Sequence, residues 1–424
     1  MSKANRPSFV FILADDLGYA DLGCYGGRSG CSPNLDRMAA DGLRYTQGYA
    51  NSSVCSPTRF ALATGRWQHR LRGGADEPIA SRSRGSAALG LPPGHPTLAS
   101  LLRDAGYATA LVGKWHLGFP PHFGPLKSGY REFFGSMSGS IDYFSHVDFA
   151  GNHDLYRGEA EVHKEGYLTD LLTEEAIAFL ERVRGKPFLL SLHYNAPHWP
   201  WETRADAEES RRIGSRLAHF DGGSVAVYRE MIRAMDEGIG KVLQQLDDNT
   251  FVVFTSDNGG ERYSDTWPLV GKKMDLLEGG IRVPYIARWP ARLSKGTSAA
   301  LAITMDWVAT FLDASDVSAH RDYPLDGVSL LKEHPDRELF WRMKFRDQKA
   351  MRRNQWKWLS IEGNEFLFDL ARDERERANL AARFPERLAE LRNRYAAWEA
   401  SIPPIPGDAS FSVVGGPKDL AQPS

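Results

Sequence analysis

The sequence predicts an α/β fold with a large, mixed but mostly parallel sheet sandwiched by helices, followed by a smaller α+β domain with an antiparallel sheet. Two observations lead to this prediction. Before residue 320, short apolar runs alternate with helical patterns, which is typical of a parallel sheet covered by helices on both faces. Beyond it, short polar runs containing aromatic residues follow one another, which indicates an antiparallel meander. We therefore expect a larger domain at residues 1–320 and a smaller domain with a tail at residues 321–424.

The individual elements follow from apolar runs and helical periodicity. Core strands are expected at residues 9–14, 108–112, 188–193 and 251–256, with a further apolar stretch at 283–287. Helices are expected at 34–40, 60–64, 97–105, 167–183 and 225–246. The second domain is expected to hold strands at 339–345, 349–353, 356–361 and 365–369, a charged amphipathic helix at 378–400 and an irregular Pro-rich tail at 403–424. Gly/Ser-rich stretches occur at 72–94 and 135–140, and the first is long enough to form the rim loop of an active site.

Composition narrows the class of protein. The chain has 424 residues, of which 42% are hydrophobic, so a sizeable core is available. Its 52 basic and 54 acidic residues leave a net charge of −2, which argues against a nucleic-acid partner bound through overall positive charge. The chain has no apolar run of about 18 residues, so no membrane span is predicted. The first apolar run, residues 9–14, is too short for a signal peptide, and we expect a cytoplasmic protein unless the sequence is a trimmed mature form.

Polar residues follow four of the predicted core strands at their carboxyl ends. In doubly wound sheets, ligands bind in the crevice beyond these ends. An adjacent pair of aspartates is by itself more often a turn or a helix cap. Four independent strands that deliver polar groups to one edge are hard to explain by packing alone. The residues are Asp15 and Asp16 after the first strand, Lys114 and His116 after the second, His198 after the third, and Asp257 and Asn258 after the fourth.

The oxygen donors among these residues predict a site for a hard divalent cation. Carboxylate and amide oxygens select Ca²⁺ or Mg²⁺ over zinc or copper. Nearby cations would bind the remaining oxygens of a tetrahedral anion. The predicted metal ligands are Asp15, Asp16, Asp257 and Asn258, and the predicted cations are Arg59, Lys114 and Lys273.

The segment from Cys55 to Arg66 carries the most specific signal. Cys55 begins a predicted helix in which Pro57 suits the first turn. Exposed amides and the helix dipole at such a position favour an anionic nucleophile or ligand. A buried, inert cysteine is the commoner alternative. The chain has three cysteines, so at least one is unpaired, and Cys24 and Cys31 remain as an optional pair or as two thiols.

The motifs together resemble those of type I, formylglycine-dependent sulfatases of the alkaline phosphatase superfamily. Cys55-x-Pro-x-Arg59 followed by Thr64-Gly-Arg66 is similar to the family signature. The match continues in family order through residues 9–290 in segments 13–18, 113–118, 196–198, 256–260 and 273–284. The resemblance implies an alkaline phosphatase-like sheet and hydrolysis of a sulfate ester to an alcohol and inorganic sulfate.

The resemblance also implies a role for each matched residue. Cys55 would be oxidised to Cα-formylglycine and would join the four oxygen ligands around a divalent cation, Ca²⁺ by family preference. Arg59 and Lys114 would stabilise the hydrated aldehyde and the sulfate, and His116 would be the base at the formylglycine hydroxyl. His198 and Lys273 would lie near the leaving-group oxygen.

The implied chemistry explains why a modified cysteine is needed. An aldehyde hydrate has two hydroxyls, one to attack sulfur and expel the alcohol, and one whose deprotonation then releases sulfate. Modification requires a partner, a formylglycine-generating enzyme that reads Cys55, Pro57 and Arg59 on the unfolded chain. The oligomeric state is not predicted.

The sequence leaves two alternative functions open, and it does not identify the alcohol part of the substrate. The same formylglycine and metal could serve a phosphonate monoester or phosphodiester hydrolase, since both anions are tetrahedral. The third hypothesis is a non-catalytic protein that binds sulfated molecules. The complete set of predicted metal-binding residues and histidines argues against it. Aromatic residues in predicted rim loops suit a sugar ring or an aryl group equally well. They are Tyr143, His146, His153, Trp199, Trp201 and Trp267.

Overall fold

The computed structural model describes residues 6–413, and its strands form three sheets. The strands before residue 320 are β1 Ser8–Ala14, β2 Leu43–Tyr45, β3 Gly48–Tyr49, β4 Ala108–Gly113, β5 Glu132–Ser136, β6 Leu155–Arg157, β7 Ala160–Glu161, β8 Phe188–His193, β9 Thr250–Ser256, β10 Tyr285–Arg288, β11 Gly296–Ser298 and β12 Ala302–Ile303. The later strands are β13 Glu338–Met343, β14 Gln348–Arg353, β15 Trp356–Ile361 and β16 Asn364–Asp369.

The α-helices lie between and after these strands. They are α1 Pro33–Asp41, α2 Cys55–Thr64, α3 Leu98–Asp104, α4 Leu168–Arg182, α5 Ala207–Ile213, α6 Val225–Leu243, α7 Glu278–Ile281, α8 Asp306–Ser315 and α9 Pro385–Ala400. Within residues 6–413, none of them has both the length and the apolar character that a membrane crossing requires.

The large sheet has ten strands in the order β11-β2-β10-β9-β1-β8-β4-β5-β6-β7. The five central strands, from β9 to β5, are parallel, whereas β10 is antiparallel to β9, and β6 and β7 are antiparallel to their neighbours. Strand β1 carries a continuously apolar run because both of its faces are buried. Val10 and Ile12 pack on the face covered by α1, α4 and α6, and Phe9 and Phe11 pack on the face with α3 and α8. The predicted mostly parallel, helix-covered sheet is confirmed.

The four-stranded antiparallel sheet β13-β14-β15-β16 is also confirmed. Helix α9 packs on it through aromatic rings, with Phe340 and Trp398 stacked at 5.0 Å and Trp358 and Tyr395 at 4.9 Å between centroids. The side chains of this sheet share one apolar cluster with Val54, which directly precedes α2, and the division into domains at residue 320 stays a prediction.

The predicted start of the last helix is wrong. Helix α9 begins at Pro385 rather than at residue 378. The N–H groups of Arg377 and Ala378 donate to the carboxylate of Asp373, and the amide oxygen of Asn379 accepts from the N–H of Leu367 in β16. These bonds compete with helix formation, and proline suits the first helical turn because it needs no N–H partner there.

Other differences concern short or displaced elements. The Gly/Ser-rich stretch at 135–140 begins inside β5, and the strand predicted at 283–287 is β10 at Tyr285–Arg288. Strands β2, β3, β11 and β12 have two or three residues each, which is too short for an apolar period to be recognised. The tail beyond residue 413, which is half of the predicted irregular segment 403–424, lies outside the described residues.

Candidate active site at the carboxyl edge of the sheet

Four neighbouring parallel strands deliver the predicted site residues to one edge of the sheet. Strands β9, β1, β8 and β4 are consecutive in the sheet, so their carboxyl ends lie side by side. The N-terminus of α2, with Cys55 as its first residue, lies against the same edge. Contacts between the side chains, described below, show that the strand ends converge. The residues brought together are Asp15, Asp16, Cys55, Arg59, Lys114, His198, Asp257, Asn258 and Lys273.

The chain leaves these strands through unusual backbone conformations. Asp16 and His116 have φ angles of 62° and 57°, in the left-handed region that non-glycine residues seldom adopt. Gly113, at the end of β4, has a φ of 113°, and a Cβ there would lie 1.8 Å from the carbonyl oxygen of His193. The strand therefore needs glycine before Lys114, because a side chain would collide with β8.

Three buried carboxylates each pair with a cation at this edge. The Nζ of Lys114 lies 2.5 Å from Oδ2 of Asp15. The Nζ of Lys273 lies 2.7 Å from Oδ2 of Asp16, whereas the preceding residue, Lys272, is exposed. The guanidinium of Arg59 donates through Nε to Oδ2 of Asp257 at 2.9 Å. Each cation is thus held at the carboxyl edge of the sheet by one carboxylate.

The protonation of the acids reflects burial and neighbouring charge. Burial raises the pKa of Asp257 to about 6, with the charge of Asp15 adding to the effect. Burial also acts on Asp16, but the positive charge of Lys273 and the hydrogen bonds from Lys273 and Asn258 outweigh it and lower the pKa to about 2. A cluster in which carboxylates repel one another is one that a divalent cation would stabilise.

The residues present fit a divalent cation. The Oδ1 atoms of Asp15 and Asn258 are buried and accept no hydrogen bond from any described residue. The amide nitrogen of Asn258 donates to Oδ1 of Asp16 at 2.7 Å, which leaves its own oxygen available. One ligand atom from each of Asp15, Asp16, Cys55 and His198 lies within 4.8 Å of the others. This grouping adds His198 to the predicted metal environment.

The two predicted catalytic histidines are buried and neutral. The Nε2 of His116 lies 2.8 Å from the carbonyl oxygen of Ile79, and burial holds the pKa of this imidazole well below its usual value. The Nδ1 of His198 lies 2.7 Å from the carbonyl oxygen of Trp199, and its Nε2 lies 3.5 Å from Oδ2 of Asp16. Burial lowers the pKa of His198 to about 3. Each neutral ring therefore keeps a lone pair on one of its two nitrogens.

Cys55 is buried, with 1% of its surface exposed, and burial raises the pKa of its thiol to about 11. A protonated thiol is a poor nucleophile. Pro57 occupies the third position of α2, where no intrahelical partner for an N–H is needed. Among residues 6–413, all three cysteines are free, so Cys24 and Cys31 are thiols rather than a pair.

Two buried polar residues beside the site are not among the residues that the sequence predicts for it. His193 is the last residue of the strand predicted at 188–193, and its Nδ1 lies 3.3 Å from the carbonyl oxygen of Lys114. Asn195 is buried, and its Oδ1 lacks a hydrogen-bond partner in the described part of the chain. Their position at the end of β8 was the available signal.

The predicted rim aromatics divide into packed and exposed residues. Tyr143, Trp199 and Trp201 are buried, and the hydroxyl of Tyr143 donates to the carbonyl oxygen of His198 at 2.9 Å. Trp267 is 52% exposed, and the guanidinium of Arg375 lies 4.4 Å from its ring centroid. The first group therefore shapes the site, while Trp267 offers a free ring face.

Comparisons with known proteins define the class of this chain. The Sulfatase family model matches residues 7–317. The chain is 34% identical to N-acetylgalactosamine-6-sulfatase of Homo sapiens, over 77% of this chain and 65% of that protein. It is 27% identical to N-acetylgalactosamine-6-O-sulfatase of Bacteroides thetaiotaomicron, over 92% of both chains. The chain thus belongs to the sulfatase family of the alkaline phosphatase superfamily, and it spans 65% of the length of the mammalian relatives it matches.

A solved structure agrees over nearly the whole chain. The crystal structure of Ps i-CgsB in complex with k-i-k-neocarrahexaose aligns with a TM-score of 0.83, covers 94% of both chains and is 28% identical. The coverage extends beyond the Sulfatase match into the antiparallel sheet and α9. The arrangement of the large sheet and the antiparallel sheet is therefore shared with that protein.

Proposed function

We propose that this chain is a sulfuric ester hydrolase that cleaves a sulfate ester of a carbohydrate into an alcohol and inorganic sulfate. The observation that carries the proposal is the grouping of Arg59, Lys114 and Lys273 around the buried Cys55. Three cations at one edge of a near-neutral chain suit a tetrahedral anion. Two of its relatives, an N-acetylgalactosamine-6-sulfatase and a protein in complex with k-i-k-neocarrahexaose, support a carbohydrate as the alcohol part.

Two groups that the family implies would complete the site. Asp15, Asp16, Asp257 and Asn258 would hold a divalent cation, Ca²⁺ by preference for oxygen ligands, which neutralises charge on the bound sulfate. Conversion of Cys55 to Cα-formylglycine by a maturation enzyme would supply a hydroxyl nucleophile in place of a thiol whose pKa is raised.

The chain's own residues would bind the sulfate and move protons. Arg59, Lys114 and Lys273 bind the sulfate oxygens and balance their negative charge. His116 accepts a proton. Its ring is neutral, and its buried Nδ1 has no hydrogen-bond partner among residues 6–413. Lys273 and the Nε2 of His198 both approach Oδ2 of Asp16, and we assign them to the side of the leaving-group oxygen.

The first test of the proposal concerns residue 55 and the ester that is cleaved. We expect mass spectrometry across residue 55 to show an aldehyde oxygen in place of sulfur. We also expect nitrophenyl sulfate to be cleaved faster than the matching phosphate and phosphonate esters. Cys55→Ser should lower kcat by roughly a thousandfold or more, because its hydroxyl cannot release sulfate by collapse of a hydrate.

Cys24→Ala is the matched control, because it removes a thiol outside the site. Full turnover by Cys55→Ser would contradict the proposal. A preference for phosphonate would assign the chain to the alternative hydrolase class, and an unconverted chain that binds sulfated sugars without turnover would assign it to a binding protein.

The second test concerns the cation. We expect Ca²⁺ to raise the Tm of the purified chain, since a bound cation relieves the repulsion among Asp15, Asp16 and Asp257. At a Ca²⁺ concentration of about 100 times Kd, binding should stabilise the fold by about 2.7 kcal/mol. Asp257→Asn should abolish most of this shift, while Asp313→Asn, on the surface of α8, should retain it. An equal shift with Mg²⁺, or none with either ion, would contradict the assignment of Ca²⁺.

A further inference from the structure

The imidazole of His116 has one nitrogen bound to the main chain and one that is free. Its Nε2 lies 2.8 Å from the carbonyl oxygen of Ile79. A carbonyl oxygen only accepts hydrogen bonds, so Nε2 must carry the hydrogen in the neutral ring. The lone pair then lies on Nδ1, which is buried and has no hydrogen-bond partner among residues 6–413. The position of the Ile79 carbonyl therefore decides which nitrogen of His116 can accept a proton.

Ser56 holds the main chain of Ile79. The N–H of Ile79 donates to Oγ of Ser56 at 2.9 Å, and Ser56 has no exposed surface. Ser56 directly follows Cys55 in α2, whereas Ile79 lies in the long rim loop. One residue of the loop is thus bonded on one side to the helix that carries Cys55 and on the other side to His116.

We propose that Ser56 is a positioning residue that, through the main chain of Ile79, holds His116 as the Nε2-protonated tautomer with Nδ1 as the proton acceptor. The consequence for catalysis rests on the proposed sulfatase function, while the tautomer itself does not. No proton is transferred to or from Ser56 in this arrangement. Its hydroxyl accepts the N–H of Ile79 and thereby fixes the direction of the neighbouring carbonyl.

A second loop restricts the orientation of the same ring. A Cβ built on Gly139 would lie 2.3 Å from Cε1 of His116, so the main chain there closely approaches the imidazole. The preceding residue, Ser138, donates through its N–H to Asp154 at 2.8 Å. Asp154 in turn lies 2.5 Å from the guanidinium of Arg84, which belongs to the rim loop of Ile79. The ion pair ties the two loops together, and the ring is enclosed between them.

Nitrogen NMR of the histidine side chains tests the proposed tautomer. The ring signals of His116 are assigned by their loss in His116→Gln, and the chain with an unconverted Cys55 can be used. We expect a single neutral form with hydrogen on Nε2 in the original chain. In Ser56→Ala, we expect a mixture of both tautomers or a shift towards Nδ1–H, because Ile79 has lost its partner. Ser315→Ala is the matched control, since it removes a buried serine hydroxyl from α8, outside the site.

Kinetics of the converted enzyme test the consequence. We expect Ser56→Ala to lower kcat by roughly tenfold to a hundredfold with KM changed less than about twofold, because a disordered base slows proton transfer more than it weakens binding. Rates are divided by the converted fraction measured by mass spectrometry, and Tm is compared with that of Ser315→Ala. This correction separates positioning from maturation and from general loss of stability.

Each outcome decides the proposal. Hydrogen on Nδ1 in the original chain, or an unchanged His116 spectrum in Ser56→Ala, overturns it. A changed spectrum with unaltered kcat overturns the role in positioning the base. If the original enzyme cleaves no sulfate ester, the proposed function fails, and the NMR comparison still decides whether Ser56 sets the tautomer.

Discussion

The carboxyl group of Glu202, near the site, has a pKa far above that of an ordinary glutamate. Its Oε2 accepts a hydrogen bond from the N–H of Tyr143 at 3.1 Å, and Tyr143 contacts His198. Burial, and then the charge of Asp142, raise the pKa of Glu202 to about 10 from an ordinary value of 4.5. Between these values, the folded chain binds more protons than the unfolded chain. The free energy of unfolding must therefore fall as pH rises through this range.

Glu202→Gln tests this pH dependence, because glutamine keeps the neutral state at every pH. We expect the original chain to lose stability between pH 5 and pH 9 by up to about 1 kcal/mol per pH unit more than Glu202→Gln. Urea unfolding at several pH values measures the difference. Glu362→Gln, whose side chain is 58% exposed, is the control and should follow the original chain. Parallel stability curves for Glu202→Gln and the original chain would show that Glu202 is ionised in the fold.

At the scale of elements, the site depends on how strands end and not only on where they lie. Strand β4 delivers Lys114 to Asp15 because Gly113 turns the chain with a φ of 113°. The adjacent strand β8 is so close that its His193 carbonyl occupies the space of a side chain at residue 113. The apolar run of β4 predicted the strand, but the need for glycine arises from a neighbour 80 residues away in sequence.

The need for glycine at the end of β4 is tested by comparing the stability of Gly113→Ala with that of Gly106→Ala. Both residues have positive φ angles, but a Cβ on Gly106 meets no atom within 4 Å. Gly106→Ala should cost only backbone strain, about 1 kcal/mol of unfolding free energy. Gly113→Ala should cost about 3 kcal/mol and should also lower kcat, since it displaces Lys114. Urea unfolding and ester turnover measure both effects, and equal losses in the two variants would refute the proposed collision.

At the scale of the whole molecule, a buried ion cluster joins the antiparallel sheet to α7 and to the short two-stranded sheet of β3 and β12. The Nζ of Lys357 in β15 lies 3.0 Å from Glu278 of α7 and 2.8 Å from Glu376. These three side chains have no exposed surface. The hydroxyl of Tyr49 in β3 donates to the same Glu278 at 2.7 Å. Helix α7 follows the loop that holds Lys273. The antiparallel sheet therefore supports, through Lys357, the chain segment next to this site residue.

Lys357→Met tests this connection. Removing one partner of a buried ion pair leaves charge without compensation, and we expect a loss of about 3–5 kcal/mol in unfolding free energy. Lys332→Met, which removes a lysine that is 64% exposed, should change stability by less than about 1 kcal/mol. Denaturant unfolding compares the two. If Lys357→Met is as stable as Lys332→Met, the cluster does not hold the sheets together.

The sequence alone determined the features that depend on local pattern. The apolar runs of β1, β4, β8 and β9 and the polar residues directly after them predicted both the sheet and the edge where Asp15, Lys114 and Asp257 meet, because parallel strands end on the same side. Tertiary structure alone decided how those residues are held. The Ile79 carbonyl on His116, the pairing of Lys357 with Glu278 and the space around Gly113 join residues that are distant in sequence. Such contacts leave no periodic signal in the chain, since they arise only when separate elements are packed together.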